Sequence, residues 1–129
     1  MKIVVAYDEN TSFSNVLDTA LKRAKQSDAY IYLVRTCPSD MKEQKIRELE
    51  YRLNEVRQEV FKREGIKSES HILIRGLAPG EDLVQFAREK DADEVVIGIK
   101  KRSKVGKLVF GSTAQYVILE AHCPVLSVK

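Results

Sequence analysis

Residues 2–7, KIVVAY, form a short unbroken apolar run rich in Val, the pattern of a strand covered on both faces. The period then changes. After polar DENTS, the residues Phe13, Val16, Leu17, Ala20, Leu21 and Ala24 fall on one face of a helix. Thr11 or Ser12 is placed to cap its start. AYIYLVRT at 29–36 reads as a second strand. Asp40 with Glu43 then has the spacing of a capping box. Behind it, Ile46, Leu49, Leu53, Val56 and Val60 repeat at three- and four-residue steps, and Gly65 suits the stop. That stripe is too short for a sustained coiled-coil seam and predicts a helix packed on its own sheet.

SESHILIR at 68–75 predicts a third strand. Pro79 suits the first turn of a helix, with Glu81 and Asp82 at its positive end and Leu83, Phe86 and Ala87 on the buried side. DEVVIGI at 93–99 is a fourth strand, a helix runs from about Ser112 to Ala121, and PVLSV at 124–128 is a fifth strand. Strict alternation of strand and helix predicts a three-layer α/β fold. It is a doubly wound five-stranded parallel sheet with helices on both faces and right-handed crossovers. Neither linker nor repeat interrupts the pattern, so residues 1–129 read as one domain.

Composition narrows the function. Apolar residues make up 43% and charged residues 32%, and a net charge of +3 is too small for a general nucleic-acid binder. Cys37, Cys123, His71 and His122 stand in no metal-ligand spacing, which argues against structural zinc. The opening residues lack a signal-peptide pattern, and no apolar stretch approaches the ~20 residues that span a bilayer. The expectation is a cytoplasmic protein with reduced thiols.

The charge is unevenly spread. GIKKRSKVGKLVFGST at 98–113 holds five basic residues and three glycines. An open parallel sheet binds ligands outside the carboxyl ends of its strands, where strand order reverses. With order 3-2-1-4-5 that point lies between strands one and four; order 2-1-3-4-5 is the rival. The first order brings Tyr7 and Asp8 opposite Gly98 and the basic segment. Asp8 then either accepts from a ribose hydroxyl or merely opens a turn. Ser112 and Gln115 have the capping-box spacing, so a helix amino terminus, a ready anion site, is expected there. Gly111 permits close backbone approach, whereas Thr113 can simply fill the first turn. Gly106-Lys107 is not a phosphate-binding Walker loop, because Leu108 stands where Ser or Thr is required.

Taken together, IVVAYDENTSFSNVLDTAL, VVIG and FGSTAQYVILEAHCPVLSVK make the whole chain resemble the universal stress protein family. The resemblance implies the 3-2-1-4-5 order. It also implies the G-x2-G-x9-G-[S/T] motif of the family's ATP-binding members. Gly98, Gly111 and Ser112 match that motif, and Lys101 stands in place of its second Gly. A side chain there either obstructs the nucleotide or supplies a charge to it. By the same resemblance, Asp8 meets the ribose or base, Ala6 and Tyr7 supply backbone contacts, and Thr36 flanks the adenine; Thr113 is counted with them as a nucleotide-binding candidate. The expected ligand is ATP, accompanied by Mg²⁺, with a homodimer formed through the last strand, 124–128.

The expected function is thus adenine-nucleotide binding in stress response or signalling, without fast turnover. His71 and His122 fall at structural positions, and no catalytic base or nucleophile is in place. The alternative is an ATP-independent dimeric interaction module, which Lys101 favours. A phosphorylated receiver domain fits worse, because strand three ends at Ile74-Arg75-Gly76 without the acceptor Asp. Nucleic-acid binding by 100–107 lacks interleaved aromatics to stack on bases.

Overall fold

The computed structural model describes residues 1–8, 13–99 and 111–129. Five strands alternate with four helices: β1 (Lys2–Ala6), α1 (Phe13–Ser27), β2 (Tyr30–Thr36), α2 (Glu43–Val60), β3 (Ser68–Leu73), α3 (Pro79–Glu89), β4 (Glu94–Gly98), α4 (Ser112–Glu120) and β5 (Val125–Val128). The sheet order is β3-β2-β1-β4-β5, and every pairing is parallel. The rival order 2-1-3-4-5 is excluded. No helix of the described residues is long and apolar enough to cross a membrane.

Strand alternation divides the apolar runs between two cores. Val4, Tyr32, Val34, Val95 and Ile97 face α3 and α4, where Leu83, Phe86, Ala87, Ala114 and Val117 meet them. Their neighbours Ile3, Val5, Ile31, Leu33 and Val96 face α1 and α2, against Val16, Ala20, Ala24 and Leu53. Each such Val, Leu or Ile removed from water stabilises by about 1.5–3 kcal/mol. This two-sided burial is why the strands carry continuous apolar runs.

The helix ends bring two corrections. Asp40 does not cap α2. Met41 N donates to Pro38 O at 3.2 Å, so Asp40 lies inside a turn that Pro38 begins, and Lys42 is the N-cap residue, without a side-chain cap bond. Ser112 does not cap α4 either. Gly111 takes the N-cap position with extended backbone, and its carbonyl accepts from Gln115 N at 3.1 Å. Ser112 is therefore the first helical residue, one position too late for a capping box. Pro79 is the first residue of α3, as its fixed φ favours, and Gly65 ends the α2 region at φ 74°, after a short 3-10 turn at Lys62–Glu64. The Thr11 or Ser12 cap lies outside the described residues.

Phe61 is the anchor that the polar sequence around it hides. It sits at the end of α2, fully buried against the α1 side of the sheet, where its carbonyl accepts from Ile66 N at 3.0 Å. One aromatic thus fixes the return of the chain into β3.

Candidate nucleotide cleft

The site arises where two neighbouring strands send their helices to opposite faces. β1 pairs with β4 up to Val5↔Val96, while its pairing with β2 continues through Ala6↔Val34. Tyr7 N extends that second ladder, donating to Val34 O at 2.7 Å. Beyond Val96, β4 stays paired with β5 but no longer with β1, and a cleft of about 240 Å³ opens at the carboxyl edge of the sheet.

Its floor is apolar and belongs to the α3/α4 side: Ala6, Val34 and Ile97 from the sheet, Leu83 from α3 and Ala114 from α4. Its rim is polar. Asp8 lies just past β1, Thr36 ends β2, and Gly111 and Thr113 begin α4. Because Gln115 N is the amide that reaches Gly111 O, the amides of Ser112, Thr113 and Ala114 precede the helical ladder. They supply donors and partial positive charge at one end of the cleft. Asp8 is the sole carboxylate among the described lining residues, and Arg35 the sole base.

Seven residues expected from the sequence meet here: Ala6, Tyr7, Asp8, Thr36, Gly98, Gly111 and Thr113. Ser112 is exposed and stands beside the cleft rather than in its lining. Lys101, with the basic stretch 100–107, lies outside the described residues.

The sequence reading missed Val34, Arg35, Pro79, Leu83, Ile97 and Ala114 as lining residues. Pro79 and Leu83 had a legible signal. In a parallel α/β sheet, each helix after a strand starts at the same edge as the ligand crevice, so the α3 start was bound to lie near it. Arg35 is placed by register. It follows the Val5↔Leu33 pair by two residues, opposite Tyr7, and its Cζ lies 5.6 Å from the Tyr7 ring centroid. Both side chains take the α1 parity, which leaves the floor of the cleft to smaller residues.

Neither histidine belongs to the cleft. His71 Nε2 lies 2.7 Å from Glu69 Oε2 on β3, and His122 Nε2 lies 3.0 Å from Ala92 O. The two free cysteines, Cys37 and Cys123, are also absent from its lining.

Comparison with known proteins agrees with this architecture. The chain matches the model of the universal stress protein family over residues 1–129. It is 32% identical over 143 residues to a universal stress protein of Methanocaldococcus jannaschii, covering 99% of this chain and 81% of that protein. A universal stress protein structure from Archaeoglobus fulgidus superposes with a TM-score of 0.87 at 40% identity, covering 100% of this chain and 98% of the other. A universal stress protein from the same organism, in complex with dAMP, gives 0.81 at 35% identity over 100% and 98% of the two chains. A family match along the full length, on a sheet of the implied order, leaves no competing assignment: the chain belongs to the universal stress protein family.

Proposed function

We propose that the cleft binds an adenine nucleotide, ATP with Mg²⁺, as a signalling ligand without fast turnover. The observation that carries this reading is the convergence of Asp8 with the first turn of α4 around one apolar-floored cleft at the switch point. A carboxylate suits the hydroxyls of a ribose, the helix start suits phosphate, and the floor of Val34, Leu83 and Ile97 suits the face of a base. The dAMP bound by the A. fulgidus relative supports the same ligand class. Binding without turnover is part of the proposal: neither histidine and neither cysteine is among the described lining residues. We place this activity in the cytoplasm.

The test is the melting temperature with and without millimolar Mg-ATP. Ligand at ~100 times its dissociation constant adds about 2.7 kcal/mol of stability. A clear upward shift supports the reading. An unchanged melting temperature with ATP, ADP and AMP sinks it.

A second reading, an ATP-independent dimeric module, has its own observation. α4 presents Tyr116, Ile118 and Leu119 to solvent, Leu119 at 79% exposure, beside the edge strand β5. Apolar side chains next to an unpaired strand edge fit a second copy of the chain. The dimer belongs to both readings, so the nucleotide measurement separates them.

A further inference from the structure

The wall that α3 contributes to the cleft is held from behind by one guanidinium. Arg75 lies in the β3–α3 connection. Its Nε donates to Asp82 Oδ1 at 2.6 Å, and its Nη2 donates to the Asp82 carbonyl at 3.3 Å. Its Nη1 donates to both carboxylate oxygens of Glu89, at 2.7 and 2.9 Å. The Asp82 side chain is 2% exposed and that of Arg75 30% exposed. A carboxylate this deep is tolerated only with its partner in place. Asp82 also closes the first turn of α3, its N donating to Ala78 O at 3.0 Å. It stands between Pro79 and Leu83, the two α3 residues that line the cleft.

Arg23 and Glu94 provide an internal contrast. They too pair a guanidinium with a buried carboxylate, Nε to Oε1 at 3.0 Å and Nη2 to Oε2 at 2.6 Å, with the Glu94 side chain 9% exposed. Glu94, however, begins β4 at the amino edge of the sheet, and neither residue lines the cleft. One pair therefore secures the fold far from the site. The other secures the turn that forms its wall.

We infer that Arg75 is a positioning residue for the cleft. By clamping Asp82 and Glu89 it sets where Pro79 and Leu83 stand over Val34 and Ile97. It thereby sets how strongly the cleft favours a ligand carrying a flat base over the same sugar phosphate without one. This rests on the nucleotide reading. Dispersion contacts fall away steeply with sub-ångström gaps, so a loosened α3 loses the base first. Sugar and phosphate, held by Asp8 and α4, feel the change least.

Calorimetric titration of AMP and of ribose 5-phosphate, on wild type, Arg75→Met, Arg75→Lys and Arg23→Met, tests it. Arg75→Met is expected to weaken AMP about tenfold and ribose 5-phosphate by about twofold or less. Arg75→Lys, which keeps the charge without the fork, falls between, and it carries the comparison if Arg75→Met does not fold. Arg23→Met leaves both affinities near wild type. Unchanged AMP affinity in both Arg75 variants, or equal losses in Arg23→Met, overturns the inference alone. Wild-type protein that binds neither ligand overturns the inference, and it overturns the nucleotide reading as well only if ATP and ADP also leave the melting temperature unchanged.

Discussion

A β-carbon on Gly80 would stand 2.9 Å from the β-carbon of Tyr116. The two helices that flank the cleft therefore touch where one of them has no side chain, and Gly80 sets how closely α3 approaches α4. In an exposed helix, Gly→Ala gains about 1 kcal/mol. Here the sign reverses, because the obstructing atom is next to backbone rather than the tip of a flexible chain. Gly80→Ala is expected to cost about 1–3 kcal/mol, read as a lower urea midpoint at unchanged slope. Adding Tyr116→Ala removes the ring atoms at 3.0 and 3.1 Å but keeps the β-carbon, so it restores the loss only in part. Full recovery in that double variant would contradict the argument.

Ser112 offers a test of helix capping against mere adjacency. As an N-cap it would lose about 1 kcal/mol on replacement by Ala. As the exposed first residue of α4, behind the Gly111 N-cap, it loses under about 0.5 kcal/mol. Chemical denaturation of Ser112→Ala decides between them.

The edge strand β5 gives a prediction for assembly. Val95 N donates to Pro124 O and Ile99 N to Val128 O, so those β5 residues turn their backbone toward β4. Alternation leaves the Val125 and Ser127 backbone groups directed outward. Ser127→Pro removes one outward donor and spares the inward ladder. If two chains pair through β5, sedimentation should show a dimer for wild type and a monomer for this variant. A dimer that survives Ser127→Pro places the interface elsewhere.

Glu69 should be one source of acid sensitivity. Tyr30 Oη donates to Glu69 Oε1 at 2.7 Å, and His71 Nε2 lies 2.7 Å from Oε2. These bonds, Tyr30's first, hold the carboxyl below its usual range against the opposing effect of partial burial, with Lys90 a weaker contributor. The same bond to Glu69 pushes the Tyr30 hydroxyl up to about 12. A depressed folded-state value stabilises the fold above the unfolded carboxyl pKa of about 4.3, and that contribution disappears as pH falls through the folded value. The urea midpoint of Glu69→Gln should therefore lie below wild type at pH 5.5 and converge with it toward pH 3. A gap that stays constant over that range would refute the assignment.

Much of the site was legible because strand ends are. The runs at KIVVAY and DEVVIGI place Asp8 and Gly98 at strand ends, and parallel topology then brings strand ends to one edge. The capping signatures at Asp40 and Ser112 misled for a local reason. Pro38 draws Asp40 into a turn, and Gly111 starts α4 one residue early. Spacing alone does not reveal which residue of a short polar stretch takes the cap.

The sequence by itself determined the alternation of strand and helix, the two-sided burial of the strands and the family, because period and motif are properties of neighbouring residues. Only the tertiary structure decided that Val34 and Ile97 form the floor of the cleft, that Arg75 holds Asp82 behind its α3 wall, and that Phe61 anchors the return to β3. Those relationships depend on which side chains the packed helices bring against the sheet, and the spacing of residues along the chain does not specify that.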